Sequence, residues 1–382
     1  MMTAIRLESV KEYYFSKKLR EVAGLIKAGK PVLNMGIGSP DLPPHPSIVA
    51  ALESSMSHPK AHMYQSYQGL PELRAAMANF YQTKYSVSLN AANEFLPLMG
   101  SKEGIMHISM AFLNKGDAVL IPNPGYPTYS AVTQLLEATP LFYDLKAENN
   151  WQPDFDTLEA LDTSKIKLMW LNYPHMPTGA KAQKGIYQRL IQWAKSNEIL
   201  LVNDNPYSFI LNDDPQSLLA VDGAKEVALE LNSLSKTFNM AGWRVGLLAG
   251  NEKNIASVLK VKSNMDSGMF YGIQQGAIAA LNVPEQWYSQ LNATYKKRRR
   301  LIEELATAME TTFDAESVGM FVWAKMDDTR LSAEDYIDKI LYEKDIFITP
   351  GTIFGSQGEG YIRFSLCVTE DQIQTAINRI KA

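Results

Sequence analysis

The sequence predicts an α/β fold, with a large domain built on a mostly parallel seven-stranded sheet between helices and a smaller α+β domain beside it. Two patterns carry this reading. Short apolar runs at Phe95–Met99, Ala118–Ile121, Pro140–Tyr143, Ile166–Leu171, Ile199–Val202, Val227–Leu234 and Val245–Ala249 read as buried strands. Most are separated by stretches of helical character, such as Glu103–Leu113, Tyr129–Glu137 and Gly185–Ser196. Strands alternating with helices indicate a parallel sheet covered on both faces. After about Leu281 the character changes to a polar helical stretch from Pro284 to roughly Thr312. Strand-like runs follow at Val318–Lys325, Ile346–Thr349 and Tyr361–Leu366, then a terminal helix from near Glu370. The large domain is therefore expected over residues 46–282, and the small one over 1–45 and 283–382.

A chain of 382 residues has room for two such domains. Its net charge of -4 gives no reason to expect nucleic acid or an anionic membrane as partner. The basic run Tyr295–Arg300 lies inside a helical pattern and reads as a solvated helix face. The lone cysteine, Cys367, excludes a disulfide framework and a cysteine metal site, and the five histidines lack ligand spacing. No signal peptide opens the chain and no apolar run reaches membrane-spanning length, so a cytoplasmic protein is expected.

In chain order, the first 30 residues read as mixed helix with aromatics at Tyr13, Tyr14 and Phe15. Asn34–Pro46 is too rich in glycine and proline for regular structure. Gly36-x-Gly38 is no dinucleotide fingerprint, because the third glycine is missing and Pro40 stands where a helix would start.

Loops at the carboxyl ends of strands are where parallel sheets collect function. Gly100-Ser101-Lys102-Glu103-Gly104 opens a helix; free backbone N–H groups with a hydroxyl and an amine suit a phosphate, and Gly-Ser is equally an ordinary N-cap. Pro122–Tyr129 is stiffened by prolines, so Tyr126 offers a stacking surface or packs as a turn tyrosine. Asn172–Gly179 follows the fourth strand. Asn203–Tyr207 puts the carboxylate of Asp204 beside the phenol of Tyr207 at a strand end, where an aspartate also makes a common turn. Ser233–Gly246, SLSKTFNMAGWRVG, places Lys236 among hydroxyl residues and Arg244 eight positions on, between two apolar runs. A phosphate cradle, a stacking ring, a carboxylate, a phenol, a lysine and a further phosphate ligand together fit one ligand, pyridoxal 5'-phosphate.

On these motifs the chain resembles a class I/II (fold type I) pyridoxal-phosphate-dependent aminotransferase over nearly its whole length. The resemblance implies that Lys236 forms the Schiff base and then acts as general base. It implies further that Asp204 keeps the ring nitrogen protonated, Tyr207 bonds the phenolic oxygen and Tyr126 stacks on the ring. Ser101, Lys102, Ser233 and Arg244 would hold the phosphate, and Tyr64, in YQSYQG, would reach the phosphate of a partner subunit in a homodimer. Gly38 and Arg363, in YIRFSL, match groups that bind the substrate α-carboxylate, with Ile37 beside them. An amino acid and a 2-oxo acid, 2-oxoglutarate in the first instance, would be the substrates.

One departure stands out. The family's loop usually reads Asn-Pro-Thr-Gly, and Met176 occupies the asparagine position. A thioether cannot donate, so one hydrogen bond to the cofactor's phenolate is lost, worth about 1.5–3 kcal/mol if that oxygen is charged. A raised Schiff-base pKa relative to Met176→Asn is the expectation.

A carbon–sulfur β-lyase or a cyclopropane-carboxylate synthase would use a nearly identical site, and a cofactor-binding pseudo-enzyme stays open because of Met176. Ser233-x-x-Lys236 formally fits a serine-acylating hydrolase, but neither Ser-Asp-Asn nor Lys-Thr-Gly occurs. The residues before Gly36 are too few for the DNA-binding domain of an aminotransferase-like regulator. No arginine lies between Arg244 and Arg298 to serve as a partner-subunit ligand for a dicarboxylate; Lys262 or an N-terminal residue is the substitute to look for. Tyr13, Tyr14, Phe15 and Ile37 either line an apolar pocket or pack the domains together. Methionine, aromatic amino acids, aspartate and a diaminopimelate-type substrate all remain as donors.

Overall fold

The computed structural model describes residues 3–8, 14–327 and 331–382; Tyr13 lies outside them. Strands in chain order are β1 Leu33–Asn34, β2 Phe95–Leu98, β3 Ala118–Asn123, β4 Thr139–Asp144, β5 Ile166–Leu171, β6 Leu200–Asp204, β7 Ala228–Ser233 and β8 Gly246–Gly250. They are followed by β9 Thr311–Phe313, β10 Phe321–Met326, β11 Ile346–Phe347, β12 Thr349–Pro350 and β13 Tyr361–Ser365.

The expected seven-stranded sheet is present, ordered β2-β8-β7-β6-β5-β3-β4. Pairing is parallel from β7 through β6, β5 and β3 to β4, while β8 runs antiparallel to both β2 and β7. Every residue of β3, β7 and β8 is buried, which is why these strands read as continuous apolar runs instead of alternating ones. Helices Ser101–Phe112, Thr128–Leu135 and Glu252–Lys262 help to cover the sheet, and Pro46–Ser55 packs on Tyr271–Leu281.

A carboxylate is buried within this core. Glu230, on β7, is fully buried and accepts from the Ser217 hydroxyl, the Leu218 N–H and the Tyr81 hydroxyl at 2.9–3.0 Å. Burial pushes its carboxyl above the usual range.

A second core gathers the remaining elements. The sheet β12-β13-β10-β9 is antiparallel, and β1 pairs in parallel with β11. The helix expected over Pro284–Thr312 spans Glu285–Ala308; the chain then turns at Glu310, φ 54, and Thr311–Phe313 pairs as β9. The Tyr295–Arg300 run is a solvated face only in part: Lys296, Lys297 and Arg300 are exposed, but the other three residues turn inward, which corrects the sequence reading. Tyr295 is fully buried, and Arg298 and Arg299 are 2% and 8% exposed. Arg298 donates to both oxygens of Asp41 at 2.7 and 2.8 Å, and Arg299 donates to Glu303 and Ser317. A guanidinium is buried here because its fork is matched.

The carboxyl ends of β3, β5, β6 and β7 open onto one cleft, and β13 and the segment after β1 face them across it. The Arg298–Asp41 pair ties helix Glu285–Ala308 to that segment. Among the described residues, no helix is long and apolar enough to cross a membrane.

Candidate active site

The cleft encloses a cavity of about 380 Å³. Of the residues singled out in the sequence, Ile37, Gly38, Ser101, Lys102, Tyr126, Met176, Asp204, Tyr207, Ser233, Lys236, Arg244 and Arg363 all line it. They come from segments separated by up to some three hundred residues; Ser101, Tyr126, Met176, Asp204, Ser233 and Lys236 reach the cavity because a strand ends there, Arg244 just precedes β8, and Arg363 lies within β13.

At one end, Gly100 adopts φ 91 ahead of helix Ser101–Phe112. The cap is thus a left-handed glycine and not a serine side chain. A Cβ there would stand 2.2 Å from Arg244 Nη2, so only glycine lets the guanidinium approach the helix start. Arg244, itself at φ 55, donates to the Ala241 carbonyl at 2.9 Å. Ser233 caps the short helix Leu234–Thr237, accepting from the Ser235 N–H. Hydroxyls, backbone N–H groups and two cations converge on this end, a combination suited to a phosphate dianion.

At the floor lies Asp204, 5% exposed. Its Oδ2 accepts from the Tyr129 hydroxyl at 2.9 Å, while its buried Oδ1 has no partner. Burial pushes this carboxyl up to about 7, against the pull of the Tyr129 hydrogen bond. Tyr129 is in turn stacked on Trp170, with ring centroids 4.8 Å apart. The Asn172 amide donates to the Asp204 carbonyl at 2.6 Å, and its oxygen accepts from the Met176 N–H at 2.9 Å, joining two of the loops. Sequence reasoning gave Tyr129 and Asn172 no role; the only signal was a phenol and an amide at strand ends.

Lys236 sits above. Its amine donates to the Gly38 carbonyl at 2.6 Å, and burial lowers its pKa. Burial also raises the Tyr207 and Tyr126 phenols, so both stay protonated donors.

Arg363, on β13, is 4% exposed. One nitrogen donates to the Gly36 carbonyl at 2.8 Å and another lies 3.3 Å from Met176 Sδ. The guanidinium stands 3.9 Å from the Phe321 ring centroid and 4.7 Å from that of Phe354. Neither phenylalanine was picked out in the sequence. Gly36 is tightly enclosed, since a Cβ would meet Thr349 at 2.7 Å and Phe347 at 2.8 Å.

Three expectations fare differently. Phe15 lines the cavity, whereas Tyr14 does not. Lys262 is fully buried and donates to both oxygens of Asp266 at 2.9 and 2.7 Å, so it is no substitute for a substrate-binding arginine. Tyr64 is 88% exposed and does not line the cavity of its own chain.

The family described as aminotransferase class I and II matches residues 30–380. The chain is 38% identical to an LL-diaminopimelate aminotransferase of Aquifex aeolicus, over 98% of this chain and 97% of that one. It is 40% identical to another of that description from Dehalococcoides mccartyi, over 100% and 98%. Among solved structures, substrate-bound BacF from Bacillus subtilis superposes with a TM-score of 0.95 at 34% identity, covering 100% of this chain and 97% of that one. The chain therefore belongs to the class I and II aminotransferase family, whose members are pyridoxal-phosphate-dependent enzymes.

Proposed function

We propose that the cavity holds pyridoxal 5'-phosphate and transfers an amino group from an amino acid to a 2-oxo acid, 2-oxoglutarate being the first acceptor to try. One observation carries the reading: a buried lysine amine and a buried carboxylate with an unpartnered oxygen open into the same cavity. The bound cofactor supplies an aldehyde to attach amines and a ring that withdraws electrons from the substrate α-carbon.

The residues divide the remaining work. Asp204, through its unpartnered Oδ1, would accept a hydrogen bond from the protonated ring nitrogen, and that cation would draw the carboxyl back toward its ionised form. Tyr126 would stack on the ring and Tyr207 would donate to the phenolic oxygen, a task Met176 could not share. Ser101, Lys102, Ser233 and Arg244 bind the phosphate. Lys236, its amine made easier to deprotonate by burial, takes the proton from the α-carbon of the amino donor and, in the reverse half-reaction, delivers one to the α-carbon of the oxo acid. Arg363, held by Gly36 and its flanking rings, meets the α-carboxylate and aims the bond to be broken, with Gly38 and Ile37 alongside.

The reading divides the chain into a cofactor-binding domain, 46–282, and a small domain, 1–45 with 283–382. It includes a homodimer in which Tyr64 reaches the partner's phosphate. Its support is an exposed apolar surface: Met63, Tyr64, Tyr67, Met265 and Phe270 are all 40–88% exposed. A cytoplasmic location, where the buried Cys367 stays a thiol, belongs to the same reading.

The test is a half-reaction. The cofactor-loaded protein is mixed with single amino acids, LL-diaminopimelate among them, without an acceptor. One equivalent of 2-oxo acid per site, with the cofactor retained in its amine form, is the expected result. Continuous pyruvate and ammonia release from cystathionine would identify a β-lyase instead, and no spectral change with any donor would leave a cofactor-binding protein without this activity.

A further inference from the structure

Asn123, the last residue of β3, is 5% exposed and joins the large sheet to the turn at 354–357. Its Nδ2 donates to Asp144 Oδ1 at 2.7 Å and to the Ser356 hydroxyl at 2.8 Å, and its Oδ1 accepts from the Gln357 N–H at 3.2 Å. Gln357 Nε2 donates to Asp144 Oδ2 at 2.9 Å, which closes a triangle of side chains. The register of β3 against β4 places Asn123 directly beside Asp144. Gly355 makes the approach possible, since a Cβ there would stand 2.1 Å from Asn123 Oδ1. Two residues after Asn123, the Gly125 N–H donates to the Phe354 carbonyl at 2.7 Å. Asn123 and Asp144 do not line the cavity, but the residues they fix do: Tyr126 follows Gly125, and the Phe354 ring centroid lies 4.7 Å from the Arg363 guanidinium.

We propose that Asn123 is a positioning residue of this site: by pinning the turn at 354–357 to the end of β3 it holds the Phe354 ring on Arg363, and so sets the affinity for the substrate α-carboxylate without touching it. The inference rests on the aminotransferase reading, which gives Arg363 its carboxylate. A guanidinium already fixed in place gives up little freedom when it meets an anion. The residue type matters as much as the position. An amide donates to the Asp144 carboxylate and accepts from Gln357 at once; a carboxylate here would lose both donors and repel Asp144, and an apolar side chain would leave Asp144 and the Gln357 N–H without this partner.

The test reads the cofactor-loaded full chain in two ways. The first is the single-turnover half-reaction with LL-diaminopimelate, phenylalanine, methionine and alanine. For every donor that reacts, Asn123→Ala and Asn123→Asp should raise the half-saturating concentration at least about tenfold, the scale of the hydrogen bonds lost. The limiting rate should stay within about threefold, because Lys236 and Asp204 are untouched. The second is labelling by phenylglyoxal, located by peptide mass spectrometry. Arg363 should react at least about tenfold faster in both variants, with Arg189, outside the cavity, as the reference. Asn123→Asp combined with Asp144→Asn reverses donor and acceptor: the amide now at 144 donates to the carboxylate at 123 and accepts from Gln357 Nε2, and the Gln357 N–H keeps its acceptor. This double variant should return both readouts close to wild type, which a general loss of folding would not do. A folded Asn123→Ala protein with unchanged half-saturation or unchanged Arg363 labelling overturns the proposal, as does a double variant no better than Asn123→Asp. Should the single variants not fold, Ser356→Ala removes one partner at an exposed position and should shift both readouts the same way by about two- to fivefold; no shift overturns the proposal. If none of the four donors converts the cofactor, the aminotransferase reading fails, and the labelling still decides whether Asn123 holds Arg363.

Discussion

Replacing Asp204 with asparagine should stabilise the protein lacking its cofactor and weaken its hold on the cofactor. In the cofactor-free chain the carboxyl is buried, holds one hydrogen bond from Tyr129 and leaves Oδ1 unpartnered. It titrates near 7 instead of its ordinary 3.8. Folding therefore disfavours ionisation, and the difference corresponds to about 4 kcal/mol. The sign follows from the raised folded value. Below pH 4 the carboxyl is protonated in both states and there is no penalty. Between about 4 and 7 the unfolded chain ionises while the folded one does not, so stability is lost as pH rises, and above 7 the loss is complete. Asparagine keeps an oxygen to accept from Tyr129 and carries no charge. Urea unfolding of the cofactor-free proteins should show Asp204→Asn more stable by up to about 4 kcal/mol at pH 8, with the gap closing towards pH 4. Cofactor affinity should move the other way, because the ring nitrogen loses its anionic partner. A variant less stable than wild type at pH 8, or a stability gap that does not change with pH, would refute the reasoning.

Three other substitutions test separate parts of the site. Met176→Asn should lower the pKa of the Lys236 Schiff base, seen in a spectroscopic pH titration of the loaded protein; an unchanged or higher value would remove Met176 from the tuning of the cofactor. Gly100→Ala places a methyl where Arg244 Nη2 stands and strains a φ of 91, so cofactor affinity should fall by roughly ten- to a hundredfold on reconstitution, with a smaller loss of stability. Arg298→Met leaves Asp41 without its bidentate partner and should cost about 3–5 kcal/mol in urea unfolding. Because Asp41 follows Gly38 closely, Arg298→Met should also raise KM more than it lowers kcat.

The large sheet was legible because its strands are buried on both faces. A run such as Ile166–Leu171 leaves no alternative to a core strand, and the observed β5 has those bounds. The loops were legible for a related reason: a strand end fixes where Ser101, Asp204 and Lys236 must emerge. What escaped were pairings that depend on distant partners. Glu230 reads as a misfit within an apolar run until Ser217, Leu218 and Tyr81 supply three donors. Arg298 counts as surface charge until Asp41, 257 positions away, folds onto it. The strand β9 was absorbed into the preceding helix because the turn before it is made by Glu310 at φ 54, without a glycine to announce it. Met176 was noticed as a lost donor, yet its contact with Arg363, 187 positions on, and the rings of Phe321 and Phe354 around that arginine had no local signal.

The central claim is that Lys236 carries the cofactor. Borohydride reduction of the loaded protein, followed by proteolysis and mass spectrometry, tests it most directly. The account predicts a phosphopyridoxyl group on the peptide containing SLSKTF, at Lys236, and none on Lys102 or Lys262. Modification at another lysine with Lys236 left bare, or no reducible adduct in protein that has bound the cofactor, would contradict it.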